Sequence, residues 1–236
     1  MADNETPPRA HDLDTWRQVP VWDLPTRLFH WCIVVLVATS WATIETDHLV
    51  WHRLSGYAIL AALNFRVLWG LFGSETARFA QFARSPVIGL RHLGRLVRMR
   101  GPDIQVGHNP AGGWMVLILL GVLMIQVGTG LFANSFDGED VNGPFAHLVA
   151  KRLSNRLTGL HAQWFNVILA VVTVHVLAIV GYAVFKRHNL TAAMLTGRKR
   201  LPPTLRPPRF AGPVRALVTL AVAVGLTVAI ASVGGG

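Results

Sequence analysis

Three observations in the amino-acid sequence predict an all-alpha integral membrane protein, an antiparallel four-helix transmembrane bundle followed by a fifth C-terminal transmembrane helix. Of the 236 residues, 52% are hydrophobic and only 14% are charged, where a soluble domain usually carries about 25% charged residues. Mean hydropathy is +0.41. Apolar runs long enough to cross a bilayer alternate with polar segments. The formal charge of +10 collects in those polar segments rather than on one face of a helix, which reads as membrane topology and not as a nucleic-acid surface. A single cysteine, Cys32, leaves no disulfide and no iron–sulfur cluster to be formed within the chain.

Residues 1–22 are rich in Pro, Asp, Glu and Arg and read as a solvated, disordered cytoplasmic tail. The first span, Thr26 to Ile44, follows the segment WDLPTR, in which Pro25 suits a first helical turn. It is too long for a cleaved signal peptide and no small-residue cleavage pattern closes it, so it stays in the membrane. A short acidic connection, Glu45 to Leu49, forces the second span, Val50 to Phe72, to return antiparallel beside the first. The stretch from Gly73 to Pro110 is polar and arginine-rich, and Ser85 to Met99 mixes apolar and basic residues as a helix lying in the headgroup plane does.

The third span, Ala111 to Phe132, starts after GHNP and is lined with glycines. A loop is expected over Asn134 to Leu157, carrying Asp137, Glu139 and Asp140. The fourth span, Gly159 to Lys186, holds two histidines. Residues 201–212 form a proline/arginine-rich cytoplasmic linker kept extended by Pro202, Pro203, Pro207 and Pro208, and the fifth span covers Val214 to Val233. The chain therefore divides into a tail (1–22), a four-span domain (23–200), a linker (201–212) and an additional helix (213–236). Loops after the second and fourth spans are dense in Arg and Lys, which places the N-terminus in the cytoplasm.

The histidines carry the chemistry. His161 and His175 are fourteen residues apart, almost four helical turns, so both rings leave one face of the fourth span about 21 Å apart. A polar ring amid VVTVHVLAIV costs several kcal/mol, on the order of a lost hydrogen bond in hydrocarbon, unless it has a partner. The alternating directions of the spans put His30 at the depth of His175 and His52 at the depth of His161. Two imidazoles from facing helices are what a six-coordinate haem iron takes on its axial sides. His48 competes with His52, four residues away on the same face, but His52 falls inside the helix and is followed by Gly56. No nucleophile, acid/base pair or hydrolytic metal set is present, so any chemistry belongs to bound cofactors.

VWDLPTRLFHW (21–31), HRLSGY (52–57), FRVLWGLFG (65–73) followed by ARF, GHNPAGG (107–113), GLHAQ (159–163) and the later His175 together resemble the bacterial dihaem cytochrome b561 family, which includes the cytochrome b subunits of nickel–iron hydrogenases. The resemblance covers about residues 20 to 200 and implies a haem-binding bundle with two haems b, one ligated by His30 and His175 and the other by His52 and His161. It implies electron transfer between a membrane quinone and a redox partner such as a c-type cytochrome or a hydrogenase, in the bacterial inner membrane. His108 and Asn109 are candidates for quinone or propionate contacts, the alternative being that GHNPAGG is only a helix start with capping polar groups, and Arg66, inside a span, is a candidate for a propionate or an internal hydrogen-bond partner. The fifth span departs from the four-helix pattern and suits oligomerisation or lipid packing. Two other readings remain open: a cytochrome b anchor that conducts electrons within a larger respiratory complex, and a haem-free metal or proton transporter. The transporter is disfavoured by the absence of acidic residues and of broken helices in the spans.

Overall fold

The computed structural model describes residues 16–83, 105–135, 141–185 and 189–234. The expected in-plane helix over Ser85 to Met99 and the acidic cluster of Asp137, Glu139 and Asp140 lie outside them. Among the described residues, five helices are long and apolar enough to cross a membrane: α1 (Leu24–Glu45), α2 (Leu49–Phe72), α4 (Pro110–Gly130), α5 (Lys151–Phe185) and α7 (Pro213–Ser232). Shorter helices are α3 (Phe79–Phe82) and α6 (Leu190–Thr196), and two strands, β1 (Arg17–Pro20) and β2 (Arg198–Leu201), pair antiparallel.

Local chemistry sets the ends. Asp23 caps α1, its Oδ1 accepting from the Thr26 N–H at 2.9 Å, with Pro25 in the first turn. Asn109 does the same for α4 by accepting from the Gly112 N–H at 2.8 Å, and Pro110 opens that helix. The α1–α2 connection turns within three residues. Asp47 adopts the left-handed conformation there (φ 57°), which an aspartate tolerates better than most residues, and the His48 N–H donates to the Thr43 carbonyl at 2.8 Å.

Helices α1 and α7 each pack along α2, α5 packs along α4, and α2 joins the two groups by touching α4. Ile33, Ile59, Leu63, Leu120, Val122, Leu123 and Ile168 form the central core. The stripe Thr219, Ala223 and Thr227 of α7 is buried, Ala223 packs with Phe65 and Trp69 of α2, and Asn64 Nδ2 donates to Thr227 Oγ1 at 3.1 Å. Small residues that let helices approach, joined by a polar contact, are the usual means of helix association in lipid. Leu169, Val174, Leu177 and Val184 of α5 stay exposed, as lipid-facing residues do.

Two expectations need correction. The loop over Asn134 to Leu157 ends early, because α5 begins at Lys151, eight residues before the apolar run. At 35 residues it measures about 50 Å, more than a hydrocarbon core of about 30 Å, so its polar first turns extend beyond the membrane. Residues 17–22, expected in the solvated tail, are instead docked: Val19 and Val21 are buried with Leu201, Thr76 Oγ1 donates to the Val21 carbonyl at 2.8 Å and Lys199 Nζ donates to the Gln105 carbonyl at 2.9 Å. The linker after Leu201 is docked too, with the Arg209 N–H on Glu75 Oε2 and the Ala211 N–H on Ser74 Oγ, both at 2.9 Å.

Candidate functional site

At the end of the bundle where α1 turns into α2, the rings of His52 and His161 lie 6.0 Å apart between centroids, nearly perpendicular at 88°. Both are held by backbone. His52 Nδ1 donates to the Ser40 carbonyl of α1 at 2.8 Å, with Ser40 Oγ at 3.2 Å. His161 Nδ1 donates to the Gln126 carbonyl of α4 at 2.8 Å, with Thr129 Oγ1 at 3.4 Å. A carbonyl can only accept, so each ring carries its proton on Nδ1 and a lone pair on Nε2. The Gln126 side-chain amide also reaches His161 Nε2 at 3.2 Å. That contact comes from a rotatable side chain and is replaceable, whereas the carbonyl contact fixes the ring. Gly130 permits the packing: a Cβ there would lie 2.8 Å from His161 Cε1. His48 turns away, its Nδ1 on the Thr46 carbonyl at 2.6 Å.

The second pair sits toward the arginine-rich end. His30 of α1 and His175 of α5 are within electrostatic reach of each other. His30 meets Trp31 edge-on at 4.9 Å, and its Nδ1 is buried without a hydrogen-bond partner. His175 makes no hydrogen bond among the described residues.

A polar cluster lies at this same end. Arg66 is 2% exposed. Its guanidinium carbon stands 4.9 Å from the Phe79 ring centroid, it feels the charge of Asp23, and its Nη1 has no hydrogen-bond partner among the described residues. Asp23, already the cap of α1, accepts from Trp69 Nε1 at 2.9 Å through its other oxygen. Phe79 comes this close because α2 has glycine at 70, where a Cβ would be 2.2 Å from the Phe79 ring. His108 lies between Trp22 (4.4 Å) and Phe82 (4.7 Å). Burial, and then the neighbouring charge of Arg66, push its imidazole down to about 3, and its Nδ1 is buried without a partner. Asn109 is committed to structure, with its carbonyl oxygen in the α4 cap and its amide donating to Tyr182 Oη at 2.6 Å. A pocket of about 560 Å³ opens beside His108, bounded also by Gln81, Phe82, Gln105 and Pro110.

Sequence reasoning missed Ser40, Gln126 and Thr129, which hold the His52 and His161 rings, and Asp23 and Trp69 at the other end. Gln126 had a signal, being the one amide side chain in an otherwise apolar span. The donor sets suit haem. An imidazole nitrogen binds a metal at about 2 Å, so two rings 6.0 Å apart between centroids would both be within reach of one metal ion. No group of three or more His, Cys, Asp or Glu able to hold a metal ion occurs among the described residues.

Fold and site together define a class: a multi-pass membrane helical protein whose spans present imidazoles to one another in pairs. The family model for prokaryotic cytochrome b561 matches residues 21–197, well over half of the chain, and the protein belongs to that family. It is accordingly a membrane b-type cytochrome involved in electron transfer, with haem b as its cofactor. No curated protein and no solved structure matches the chain.

Proposed function

We propose that the protein carries electrons through two haems b, one held by His52 and His161 and the other by His30 and His175, between the membrane quinone pool and a redox partner. The observation that carries this reading is the His52–His161 pair, two lone-pair nitrogens made available by backbone carbonyls, with a second histidine, His175, fourteen residues further along the helix that carries His161. Bound there, haem b supplies a one-electron iron couple. The protein's part is positional. Ser40 and Gln126 fix the tautomer and tilt of their imidazoles, and hydrogen bonds of this kind raise the basicity of a metal-bound histidine. Arg66 offers its unpartnered guanidinium N–H to a propionate, and Asn109 secures the loop that carries His108. His108 borders the pocket in which a quinone headgroup is placed by this reading, its neutral imidazole able to donate or accept a hydrogen bond. The N-terminus lies in the cytoplasm, because the arginine-rich loops gather at that end.

The test is a pyridine haemochrome count on purified protein with a reduced-minus-oxidised spectrum. Two haems b per chain are expected, falling to one in His175→Ala and to one in His161→Ala, with different spectra remaining. Two haems surviving in either variant would overturn the assignment. Quinol-driven reduction that is lost in His108→Phe, with both haems retained, supports the quinone contact.

A further inference from the structure

Two arginines from distant parts of the chain converge on the C-terminus of α2. Arg78 Nε donates to the Gly73 carbonyl at 2.9 Å, and Arg215 Nη1, from the first turn of α7, donates to the Phe72 carbonyl at 3.3 Å. Consecutive Cα atoms are about 3.8 Å apart, so the two guanidinium groups share one small patch. Unpaired carbonyls at a helix end attract a cation. That accounts for one arginine; a second at this range is repelled by the first. Neither is paired with a carboxylate among the described residues, both are exposed, and each has spent one of five N–H donors.

Beside them runs a groove of about 960 Å³ between α2 and α7, with Leu68, Leu71, Val218 and Val222 along it. Leu71 is 54% and Val218 58% exposed. On α7, Val218 and Val222 lie three and seven residues inward from Arg215, so the apolar walls reach about 10 Å into the membrane from the charged end. A pair of cations at the edge of two spans, continuous with an apolar channel pointing inward, complements an amphiphile with an anionic head and a hydrocarbon tail. Two guanidinium groups on adjacent carbonyls suit a phosphate, which takes parallel N–H donors.

We propose that this groove binds one anionic phospholipid, its phosphate between Arg78 and Arg215 and an acyl chain along Leu68, Leu71, Val218 and Val222. Arg78 lies in the family-matched region and Arg215 in the fifth span beyond it, so the site exists only because α7 is present. The bound lipid bridges α2 and α7 and offsets the repulsion between the two cations.

The full chain in detergent, titrated with phosphatidylglycerol and observed by native mass spectrometry, tests this. One tightly held phosphatidylglycerol per chain is expected, with phosphatidylcholine at least tenfold weaker. An Arg78→Gln/Arg215→Gln double variant should lose at least tenfold in phosphatidylglycerol affinity. Val222→Trp, which obstructs the tail while leaving both arginines, should lose affinity as well; its side chain faces lipid, so the fold is kept if the double variant fails. Equal affinity for the two lipids, unchanged affinity in Val222→Trp, or complete displacement of the lipid by inorganic phosphate would each overturn the proposal, the last by reducing the site to a free-anion patch.

Discussion

The two histidine pairs differ in how the protein prepares them. Around His52 and His161 every Nδ1 is tied to a carbonyl of a neighbouring helix, so ring orientation is dictated by the backbone of α1 and α4. Around His30 and His175 no such bond exists among the described residues, and a buried cation lies nearby with four unmet polar atoms, Thr26 Oγ1, His30 Nδ1, Arg66 Nη1 and His108 Nδ1, against one, Gln126 Oε1, beside His161. One end is organised by hydrogen bonds the chain makes to itself. The other is organised by charge and is completed by what it binds. The first pair is therefore expected to set ligand geometry tightly, and the second to respond more strongly to electrostatic substitutions.

Four experiments break or sharpen that contrast. The largest effect is expected from Arg66→Leu, which removes a buried cation whose charge reaches Asp23 and His108. Disrupting a buried polar cluster costs about 3 kcal/mol, read as chemical unfolding in detergent, and the spectrum of the haem proposed at His30 and His175 should shift while that of the haem proposed at His52 and His161 does not. Equal shifts at both haems would erase the distinction. Next comes Gly130→Ala, whose Cβ meets a ring that its carbonyl contact prevents from moving. Overpacking of this kind costs about 1–3 kcal/mol, and electron paramagnetic resonance should show a change confined to the haem proposed at His52 and His161. Gln126→Leu keeps the backbone carbonyl and removes only the amide, so about tenfold weaker haem retention is expected at that pair, measured by transfer to apomyoglobin; a hundredfold loss would mean the amide, not the carbonyl, holds the ring.

The smallest effect at neutral pH belongs to His108. Its folded-state value is depressed from 6.5 to about 3, so the unfolded chain binds the extra proton first. Stability is full above about pH 6.5 and declines as pH falls toward 3, by at most about 1.4 kcal/mol per unit from this group. His108→Gln should flatten that limb of a pH–stability curve without changing its neutral plateau.

The membrane spans were legible because long apolar runs mark them, with Pro25 and the GHNP segment at the starts of α1 and α4. Depth arithmetic also brought His52 opposite His161, since the second and fourth spans enter the membrane from the same side and carry these histidines near the start of their apolar runs. The start of α5 was not legible: in KRLSNRLT only Leu153 and Leu157 share a helical face, too short a stripe to set apart from a loop, and the segment is helical because it continues a long span. The β1–β2 ribbon was hidden for another reason. RQVP and RKRL are four residues each and about 180 apart, and nothing local indicates that they pair. Ser40 and Gln126 escaped notice because the groups that hold the rings are largely carbonyls, which no residue letter reveals.

The contact between Asn64 and Thr227 joins the second span to the last. Synthesis delivers α2 to the bilayer well before α7 leaves the ribosome, and until then the Asn64 amide has no Thr227 to meet in a medium where an unmet amide costs several kcal/mol, on the order of a full desolvation penalty. Arrival of α7 relieves that penalty. Docking of α7 is thereby registered inside the membrane, and a chain whose α7 has not yet docked carries a polar mark on the surface of α2.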